Sequence, residues 1–518
     1  MTPSELGVIA AGHPETARAG AEVLRRGGNA VDAALGAMLA SFACEPLLTG
    51  LGAGGYMLVA APAQDPVLLD FFVEAPGRGI DPSSRAELRP ITVSFGDAIQ
   101  VFNIGAASVG TYGIPAGIAE ACIRFGRMPL SELVAPAARL ARDGVALTRQ
   151  QAYVFAILKD IVTATPECAA LFAPEGRVPD EGELVRQPEL ADTLELLAAR
   201  GAAPFYTGEI AQATVSWIGS HGGTLTAGDL ERYAVVSREP VHTSYRGRTV
   251  VTNPPPSAGG ILIAHALGWL DTIPGPPNTD QIVAAMERTQ SERTPEFLEG
   301  LSDPEFVRRF LQRLRPQRGS SPAPETGEAA KRPPLGSTTH IAVLDGDGWA
   351  CSVTCSNGSC SGIVVPGTGI HLNNMLGEQD LNPLGFHRHP PGRRLPSMMA
   401  PTVVLRDGEP ELALGSAGSN RIRSAILQTI LRVIDERLPV REAVQSPRVH
   451  FEDGVVYAEP GIETRQLEAA GRAIGRFGEL NLFFGGVQAV AREPNGHFGG
   501  AGDPRRGGAA IVVDGSGG

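Results

Sequence analysis

A segment rich in proline, glycine, serine and charged residues, about residues 315–336, interrupts this chain and runs directly into a strand-like stretch. Its composition is typical of a mobile linker, because it has too few apolar residues to bury a core. Residues 338–344 after it predict a strand, residues 345–348 a hairpin turn, and residues 349–354 the returning strand. The fold must therefore place a strand immediately after a segment that is open to proteolysis.

Helical and extended patterns occur on both sides of the linker. Before it, helices are predicted over 14–27 and 29–43, strands over 56–61, 67–73 and 239–251, and mainly helices over 118–202. After it, strands are predicted over 402–405 and 411–414, and a helix over 421–436. This order predicts a layered α/β fold whose core sheets draw on both halves of the chain.

Composition excludes several classes of partner. Of 518 residues, 43% are hydrophobic and 19% charged, as expected of a soluble globular protein, and the formal net charge is −12. No basic run could follow a phosphate backbone, so no nucleic-acid partner is expected. No window is apolar enough to span a membrane, and the first residues lack a signal-peptide pattern. We therefore expect no membrane partner and a cytoplasmic location.

Two patterns invite a metal site without completing one. Cys351 and Cys355 alternate with Val353 in the predicted strand, and none of the six cysteines forms a CxxC pair. Buried thiols are the better interpretation. Residues 386–394 hold two histidines in an HxH arrangement, but no third ligand follows at metal spacing. We expect no metal ion.

A third pattern formally matches a dinucleotide-binding loop. Gly50, Gly52 and Gly55 fit GxGxxG, but that motif needs a strand before it and a helix after it. Here the predicted helix comes first and the strand follows. A loop that lets another segment approach the backbone is the better interpretation, and no cofactor is expected.

The first residues of the strand after the linker include a side chain that can act as a nucleophile. A threonine pair often opens a strand for structural reasons alone, because β-branched residues favour extended structure. If the chain is cut before Thr338, however, that residue supplies a complete nucleophilic device. Its hydroxyl can attack, and its α-amine, with an unperturbed pKa near about 7.7–8.0, can act as the base.

Distinctive sequence blocks are spread along nearly the whole chain. They include GTYGIPAG at 110–117, PPPSAGG at 254–260 and GSAGSNR at 415–421. Further blocks are residues 12–14, 27–34, 50–55, 338–340, 369–374, 397–402, 447–449 and 502–505. Through these blocks the whole chain resembles the γ-glutamyltranspeptidase family of N-terminal nucleophile hydrolases. The resemblance implies an αββα sandwich with two central antiparallel sheets.

The resemblance also implies maturation and acyl transfer. Cleavage between Ser337 and Thr338 would give a large chain, residues 1–337 with the linker, and a small chain, residues 338–518. The two chains would stay together as one folded unit. Thr338 would then take an acyl group from a small-molecule substrate and pass it to water or an amine.

Further roles follow from the family's motifs. Ser356 stands where the family has a threonine that hydrogen-bonds the nucleophile, and a serine retains the hydroxyl. The backbone N–H groups of Gly418 and Ser419 fall at the oxyanion hole, where only one glycine of the family's pair is kept. Ser397 and Asn357 fall at substrate-binding positions. The loop 356–362 is two residues shorter than the family's, so the position of Asn357 requires a gap.

Departures are concentrated in the donor pocket. Phe72 stands where glutathione-cleaving members have the arginine that binds the α-carboxylate of a γ-glutamyl group. Met375 and Glu378 replace an amine-binding glutamine and aspartate, and of the two only Glu378 can hold an ammonium group. A substitute anion clamp could come from Arg78, Arg393 or Arg394, each of which is otherwise a solvated surface arginine.

Three hypotheses of function follow. The first is a γ-glutamyl hydrolase or transpeptidase. The second is a repurposed hydrolase on a non-glutamyl substrate, either a cephalosporin-type acylase or a carbon–carbon bond hydrolase of an antibiotic pathway. The third is an uncleaved, non-catalytic binding protein, against which the intact Thr338, Ser356 and Gly418 argue.

Overall fold

Two large antiparallel sheets form the centre of the protein in the computed structural model, which describes residues 5–81, 87–94, 99–301, 303–313 and 337–515. The predicted linker, residues 315–336, lies entirely outside these ranges. The first sheet has seven strands, in the order Ala509–Asp514, Glu5–Ala11, Thr339–Asp345, Ala350–Ser356, Gly54–Ala60, Val67–Phe71 and Val236–Arg238. The second has six, in the order Phe498–Gly502, Gly486–Arg492, Glu409–Ala417, Thr402–Arg406, Arg248–Thr252 and Val241–Tyr245.

Helices cover the outer faces of both sheets. The described helices of the segment before the linker are Pro14–Arg25, Ala30–Cys44, Ile114–Phe125, Leu130–Asp143, Arg149–Ile157, Lys159–Val162, Pro166–Phe172, Pro188–Arg200, Ala203–Tyr206, Glu209–Ser220, Ala227–Glu231, Gly259–Leu270, Thr279–Ser291, Pro295–Gly300 and Pro304–Arg313. Those after it are Ile422–Ile434, Val440–Gln445 and Arg465–Ala469. Smaller sheets pair Arg89–Ser94 with Ile99–Ile104, Val145–Ala146 with Leu184–Val185, Val364–Val365 with Ile370–His371, and Val449–Glu452 with Val455–Ala458 and Ala473–Arg476.

The strand Thr339–Asp345 shows how the layers form. Successive side chains of a strand point to opposite faces. Ile341 and Val343 join the core beneath the helices Pro14–Arg25 and Ala30–Cys44. Ala342 and Leu344 join a second core, shared with the inner face of the second sheet. The layers therefore run helix, sheet, sheet, helix, and the expected αββα sandwich is confirmed.

Local signals explain where the central elements begin and turn. The Asn29 side chain accepts hydrogen bonds from the backbone N–H of Val31 and Asp32, and Asp32 accepts one from the Asn29 N–H, so that a capping box starts the helix Ala30–Cys44. In the predicted hairpin, the Asp345 carboxylate accepts hydrogen bonds of 2.9 Å from the N–H of both Asp347 and Trp349. These local contacts fix where the helix Ala30–Cys44 begins and where the strand Thr339–Asp345 ends.

All six cysteines are free thiols, and five of them are buried, whereas Cys122 is partly exposed. Burial raises the pKa of Cys351 and Cys355, which face the helical layer. Within the described ranges, no three His, Cys, Asp or Glu side chains converge as metal ligands. No helix in the same ranges has the length and apolar character needed to cross a bilayer.

Candidate active site

Thr338 lies at the end of the first sheet, one residue before the strand Thr339–Asp345. Thr339 pairs with Cys355, and this register places Thr338 beside Ser356. The Thr338 hydroxyl donates a hydrogen bond of 3.3 Å to the Ser356 Oγ, which donates one of 2.6 Å to the Ser337 carbonyl oxygen. The Gly358 N–H donates to the same Oγ at 3.1 Å. One hydroxyl therefore links the predicted nucleophile to the carbonyl of the predicted cleavage site.

The next residues of the strand hold Thr338 in place. Thr339 points to the helical layer, where its hydroxyl donates a 2.7 Å hydrogen bond to the buried carboxylate of Glu45. His340 points between the sheets, with its Nδ1 2.8 Å from the Thr354 Oγ1. Burial lowers the pKa of His340 to about 3, so the ring is neutral. This agrees with His340 as a packed strand residue rather than a general base.

The predicted oxyanion loop closes the site from the second sheet. Gly418 and Ser419 follow the strand Glu409–Ala417 and precede the helix Ile422–Ile434. Gly418 has φ 122°, and a Cβ there would lie 2.9 Å from the Gly485 Cα, so that only glycine fits. The N-terminus of the helix Ile422–Ile434, which favours negative charge, follows directly after this loop.

A pocket with a volume of about 50 Å³ opens beside Thr338. Its lining consists of Phe72, Ser337, Thr338, Ser356, Gly358, Met375, Glu378, Asp380, Leu381, Ser397, Met398, Met399, Ser419 and Ile422. Six of these side chains are apolar and two are carboxylic acids, and none of the described residues that line the pocket is an arginine or a lysine. A hydroxyl nucleophile, a hydroxyl that contacts it and an apolar wall are the parts of an acyl-transfer site.

The chain is similar in sequence to known proteins over almost its whole length. The sequence profile described as gamma-glutamyltranspeptidase matches residues 16–513. The chain belongs to the γ-glutamyltranspeptidase family. Its relatives include the glutathione hydrolase proenzyme of Bacillus subtilis (strain 168), 30% identical over 98% of this chain and 92% of the relative. They also include the acylase ACY 1 proenzyme of Pseudomonas sp. (strain SE83), 30% identical over 98% of this chain and 94% of the relative.

A solved structure agrees with both relatives. Cephalosporin acylase from Bacillus halodurans superimposes with a TM-score of 0.81 at 25% identity, covering 98% of this chain and 96% of that one. The chain is therefore an enzyme of the N-terminal nucleophile hydrolase type, and the hypothesis of a non-catalytic binding protein loses its support.

Phe72, the departure from the γ-glutamyltranspeptidase family motif noted above, forms an apolar wall of the pocket. The Phe72 ring is fully buried and stacks on Tyr56, with 5.2 Å between ring centroids. Its carbonyl oxygen accepts hydrogen bonds from the Arg394 Nη1 at 2.7 Å and the Tyr233 hydroxyl at 2.8 Å. The backbone is held from behind while the ring faces the pocket.

The three arginines considered as substitute clamps point elsewhere. Arg394 is buried behind Phe72, where it pairs with Asp70 and Glu74 at 3.3 Å each. Arg78 pairs with Asp229 at 3.1 Å. Arg393 lines a separate groove together with Pro254, Pro255 and Pro256. None of the three lines the pocket beside Thr338.

The pocket lining also includes two carboxylic acids, Glu378 and Asp380. Glu378 accepts hydrogen bonds from the Ser359 N–H at 2.8 Å and the Ser359 hydroxyl at 2.6 Å. Burial raises the pKa of Glu378 to about 7, against the lowering effect of these hydrogen bonds. Asp380 accepts a hydrogen bond from the Ser419 hydroxyl, and burial raises its pKa as well.

The structure gathers most of the predicted site residues and separates one. Around the pocket it brings together Ser337, Thr338, Ser356, Phe72, Met375, Glu378, Ser397 and Ser419, with Gly418 adjoining. Asn357 lies outside the lining, because its buried side chain turns away and its Nδ2 donates a 3.0 Å hydrogen bond to the His371 carbonyl oxygen. In the shortened loop it is Gly358 that reaches the pocket.

Other lining residues were not predicted. Asp380, Leu381 and Ile422 belong to the pocket, as do Met398 and Met399. The two methionines lie in the matched block 397–402, and Asp380 follows Glu378 by two positions. The matching block therefore offered a signal for the two methionines, and the closeness of Asp380 to Glu378 offered one for Asp380, whereas Leu381 and Ile422 resemble ordinary core residues.

Proposed function

We propose that the precursor cleaves its own Ser337–Thr338 bond and that mature Thr338 hydrolyses amides whose acyl group lacks an α-carboxylate. In maturation, the Thr338 Oγ1 attacks the Ser337 carbonyl carbon. The Ser356 hydroxyl, which hydrogen-bonds that carbonyl oxygen, stabilises the negative charge that develops on it. The peptide bond breaks to give an ester, which water hydrolyses. Residue 337 then ends in a carboxylate and Thr338 has a free α-amine.

The same groups serve turnover. The α-amine of Thr338 takes the hydroxyl proton as Oγ1 attacks the substrate carbonyl, and the proton then passes to the leaving amine. The backbone N–H groups of Gly418 and Ser419 are the proposed donors to the oxyanion. Water attacks the resulting acyl-enzyme, releasing the acid and restoring Thr338.

The chemistry of the pocket lining supports the proposed preference for one kind of acyl group. A buried carboxylate needs a partner, and the lining offers a phenylalanine and methionines instead of a guanidinium. The two pocket acids would repel a carboxylate further. An acyl chain without that charge fits the apolar wall, which favours the acylase hypothesis over a γ-glutamyl donor.

Four chromogenic anilides form a matched test of this proposal. γ-Glutamyl, 4-aminobutanoyl, glutaryl and butanoyl anilides carry, in turn, both charges, the ammonium alone, the carboxylate alone and neither. We expect kcat/KM to rise at least about tenfold when the carboxylate is removed, both with and without the ammonium. Faster cleavage of the γ-glutamyl than of the 4-aminobutanoyl anilide would overturn the choice of acyl group.

Maturation is tested separately by electrophoresis and N-terminal sequencing. The wild type should give two chains, the smaller beginning Thr-Thr-His-Ile, and Thr338→Ala should stay one inactive chain. Thr338→Ser should still process, because it keeps the hydroxyl and the eventual α-amine. A fully active wild type that remains a single chain would contradict the mechanism.

A γ-glutamyl donor is the second candidate, favoured by Glu378 in the pocket and by the name of the Bacillus subtilis relative. It predicts the opposite order in the four-anilide series. A processed enzyme that cleaves none of the four would favour the remaining hypothesis, hydrolysis of a carbon–carbon bond next to a carbonyl.

A further inference from the structure

The loop that follows the strand Glu409–Ala417 contains two consecutive residues with positive φ. Gly418 has φ 122° and Ser419 has φ 51°. Glycine adopts such a conformation freely, whereas a residue with a Cβ does so at a cost and persists there only when its surroundings hold it. Ser419 therefore needs an interaction that keeps its backbone in place.

Two contacts hold this loop from different sides. The Ser419 hydroxyl donates a hydrogen bond to the Asp380 Oδ2, on the short turn Gln379–Leu381. The neighbouring Asn420 donates from Nδ2 to the Glu452 Oε1 at 2.6 Å. Asn420 is anchored away from the pocket, and among the residues that line the pocket Asp380 is the one that binds the Ser419 side chain.

We propose that Asp380 is a positioning residue that, by accepting this hydrogen bond, keeps the N–H groups of Gly418 and Ser419 directed at the reacting carbonyl oxygen. The inference rests on the proposed function, because it requires that those two N–H groups form the oxyanion hole. Ser419 stands where the family has its second glycine. Asp380 therefore stabilises the positive-φ backbone of Ser419. A glycine at this position would adopt that conformation without such a contact.

A double-mutant cycle separates this role from a general one. Asp380→Ala is made in the wild type and in the Ser419→Gly background, and kcat and KM are measured for the best anilide of the series. In the wild type, we expect Asp380→Ala to lower kcat by about tenfold or more, because the serine is released from its strained conformation. In the Ser419→Gly background, the same change should lower kcat by less than about threefold, since glycine does not depend on the contact.

The KM values serve as the internal control. Asp380 also lines the pocket, so its removal changes substrate binding, and that change should be the same in both backgrounds. Ser419→Ala provides a second route to the same result. It removes one oxygen and keeps the Cβ, so it should reproduce the loss of kcat and should not add to that of Asp380→Ala.

The outcomes are distinct. Equal losses of kcat in the two backgrounds, or a Ser419→Ala enzyme with wild-type kcat, would overturn the role of Asp380. If Asp380→Ala does not fold, as judged by thermal unfolding, Ser419→Ala alone decides, since it changes a single atom. Failure of the proposed function would look different, because the wild type itself would form no acyl-enzyme on Thr338.

Discussion

At the scale of single residues, Phe72 separates this pocket from one suited to a γ-glutamyl donor. Its ring stacks on Tyr56 and faces the pocket, while the nearest buried arginine, Arg394, is engaged behind it by Asp70 and Glu74. Moving Arg394 into the pocket would remove one partner from each of two buried carboxylates, leaving Asp70 with Arg238 and Glu74 with the more distant Arg78, which is costly. Among the described residues, the pocket lining therefore lacks a positive charge for a structural reason.

Phe72→Arg should raise kcat/KM for the γ-glutamyl anilide relative to the 4-aminobutanoyl anilide. Loss of one partner of a buried charge pair costs about 2–5 kcal/mol, which corresponds to roughly 30-fold to several-thousand-fold. We expect a rise of at least about tenfold, since the guanidinium must fit a space shaped for a ring. Phe72→Leu is the control and should leave the ratio unchanged. A folded, processed Phe72→Arg enzyme with an unchanged ratio would contradict the assigned role.

Glu378 should give the enzyme a pH dependence that varies with the substrate. Its pKa is raised by burial to about 7, so the carboxylate is neutral below that pH and charged above it. The ratio of kcat/KM for 4-aminobutanoyl to butanoyl anilide should therefore rise as the pH increases through about 7. Titration of the Thr338 α-amine affects both substrates and cancels in the ratio.

The control for this profile is Glu378→Gln, which keeps the side-chain shape but cannot ionise. It should give a flat ratio between about pH 5 and pH 9, because the substrate ammonium stays charged throughout that range. A rise that persists in Glu378→Gln would assign the titration to another group, such as Asp380.

At the scale of secondary-structure elements, the two sheets meet closely where His340 lies over Gly415. A Cβ on Gly415 would lie 2.3 Å from the His340 Cε1, so the strand Glu409–Ala417 depends on a glycine here. His340 is hydrogen-bonded to Thr354 and has little freedom to move away. The approach of the two sheets brings the proposed oxyanion loop to the pocket that Thr338 also lines.

Gly415→Ala should therefore destabilise the protein. Forcing a methyl group into a packed core costs about 1–3 kcal/mol, and urea unfolding should show this as a lower midpoint. Gly219→Ala is the matched control, because Gly219 lies in the helix Glu209–Ser220 with open space around the added Cβ. That variant should be as stable as the wild type or slightly more stable. Equal stability of the two variants would argue against close packing at His340.

At the scale of the whole molecule, both sheets mix strands from the two sides of the proposed cleavage site. Glu5–Ala11 pairs on one edge with Ala509–Asp514 and on the other with Thr339–Asp345. In the second sheet, Arg248–Thr252 pairs with Thr402–Arg406. Separating the chains would break main-chain hydrogen bonds in both sheets and expose both cores.

The cleaved enzyme should therefore remain one particle. Size-exclusion chromatography in native buffer should elute residues 1–337 and 338–518 together, and urea should release them in the same transition that unfolds the sheets. Either chain expressed alone should fail to fold, since each lacks neighbouring strands. Release of the small chain in native buffer would contradict this arrangement.

Much of the architecture was readable in the sequence because its signals are local. The capping residue Asn29, the turn at Asp345 and the alternation along residues 338–344 each depend on neighbours a few positions away. The family blocks pointed in the same way to Thr338 and Ser356, which the structure places in hydrogen-bond contact.

Tertiary structure alone decided the direction of the side chains that shape the pocket. Asn357 has the chemistry of a substrate ligand, yet the shortened loop turns it toward the His371 carbonyl. Arg394 has the chemistry of an anion clamp, yet Asp70 and Glu74, more than 300 residues earlier in the chain, hold it behind Phe72. Asp380 meets Ser419 across 39 positions. Such contacts depend on how distant segments pack and on which charges must be neutralised when they are buried, and no local pattern encodes either.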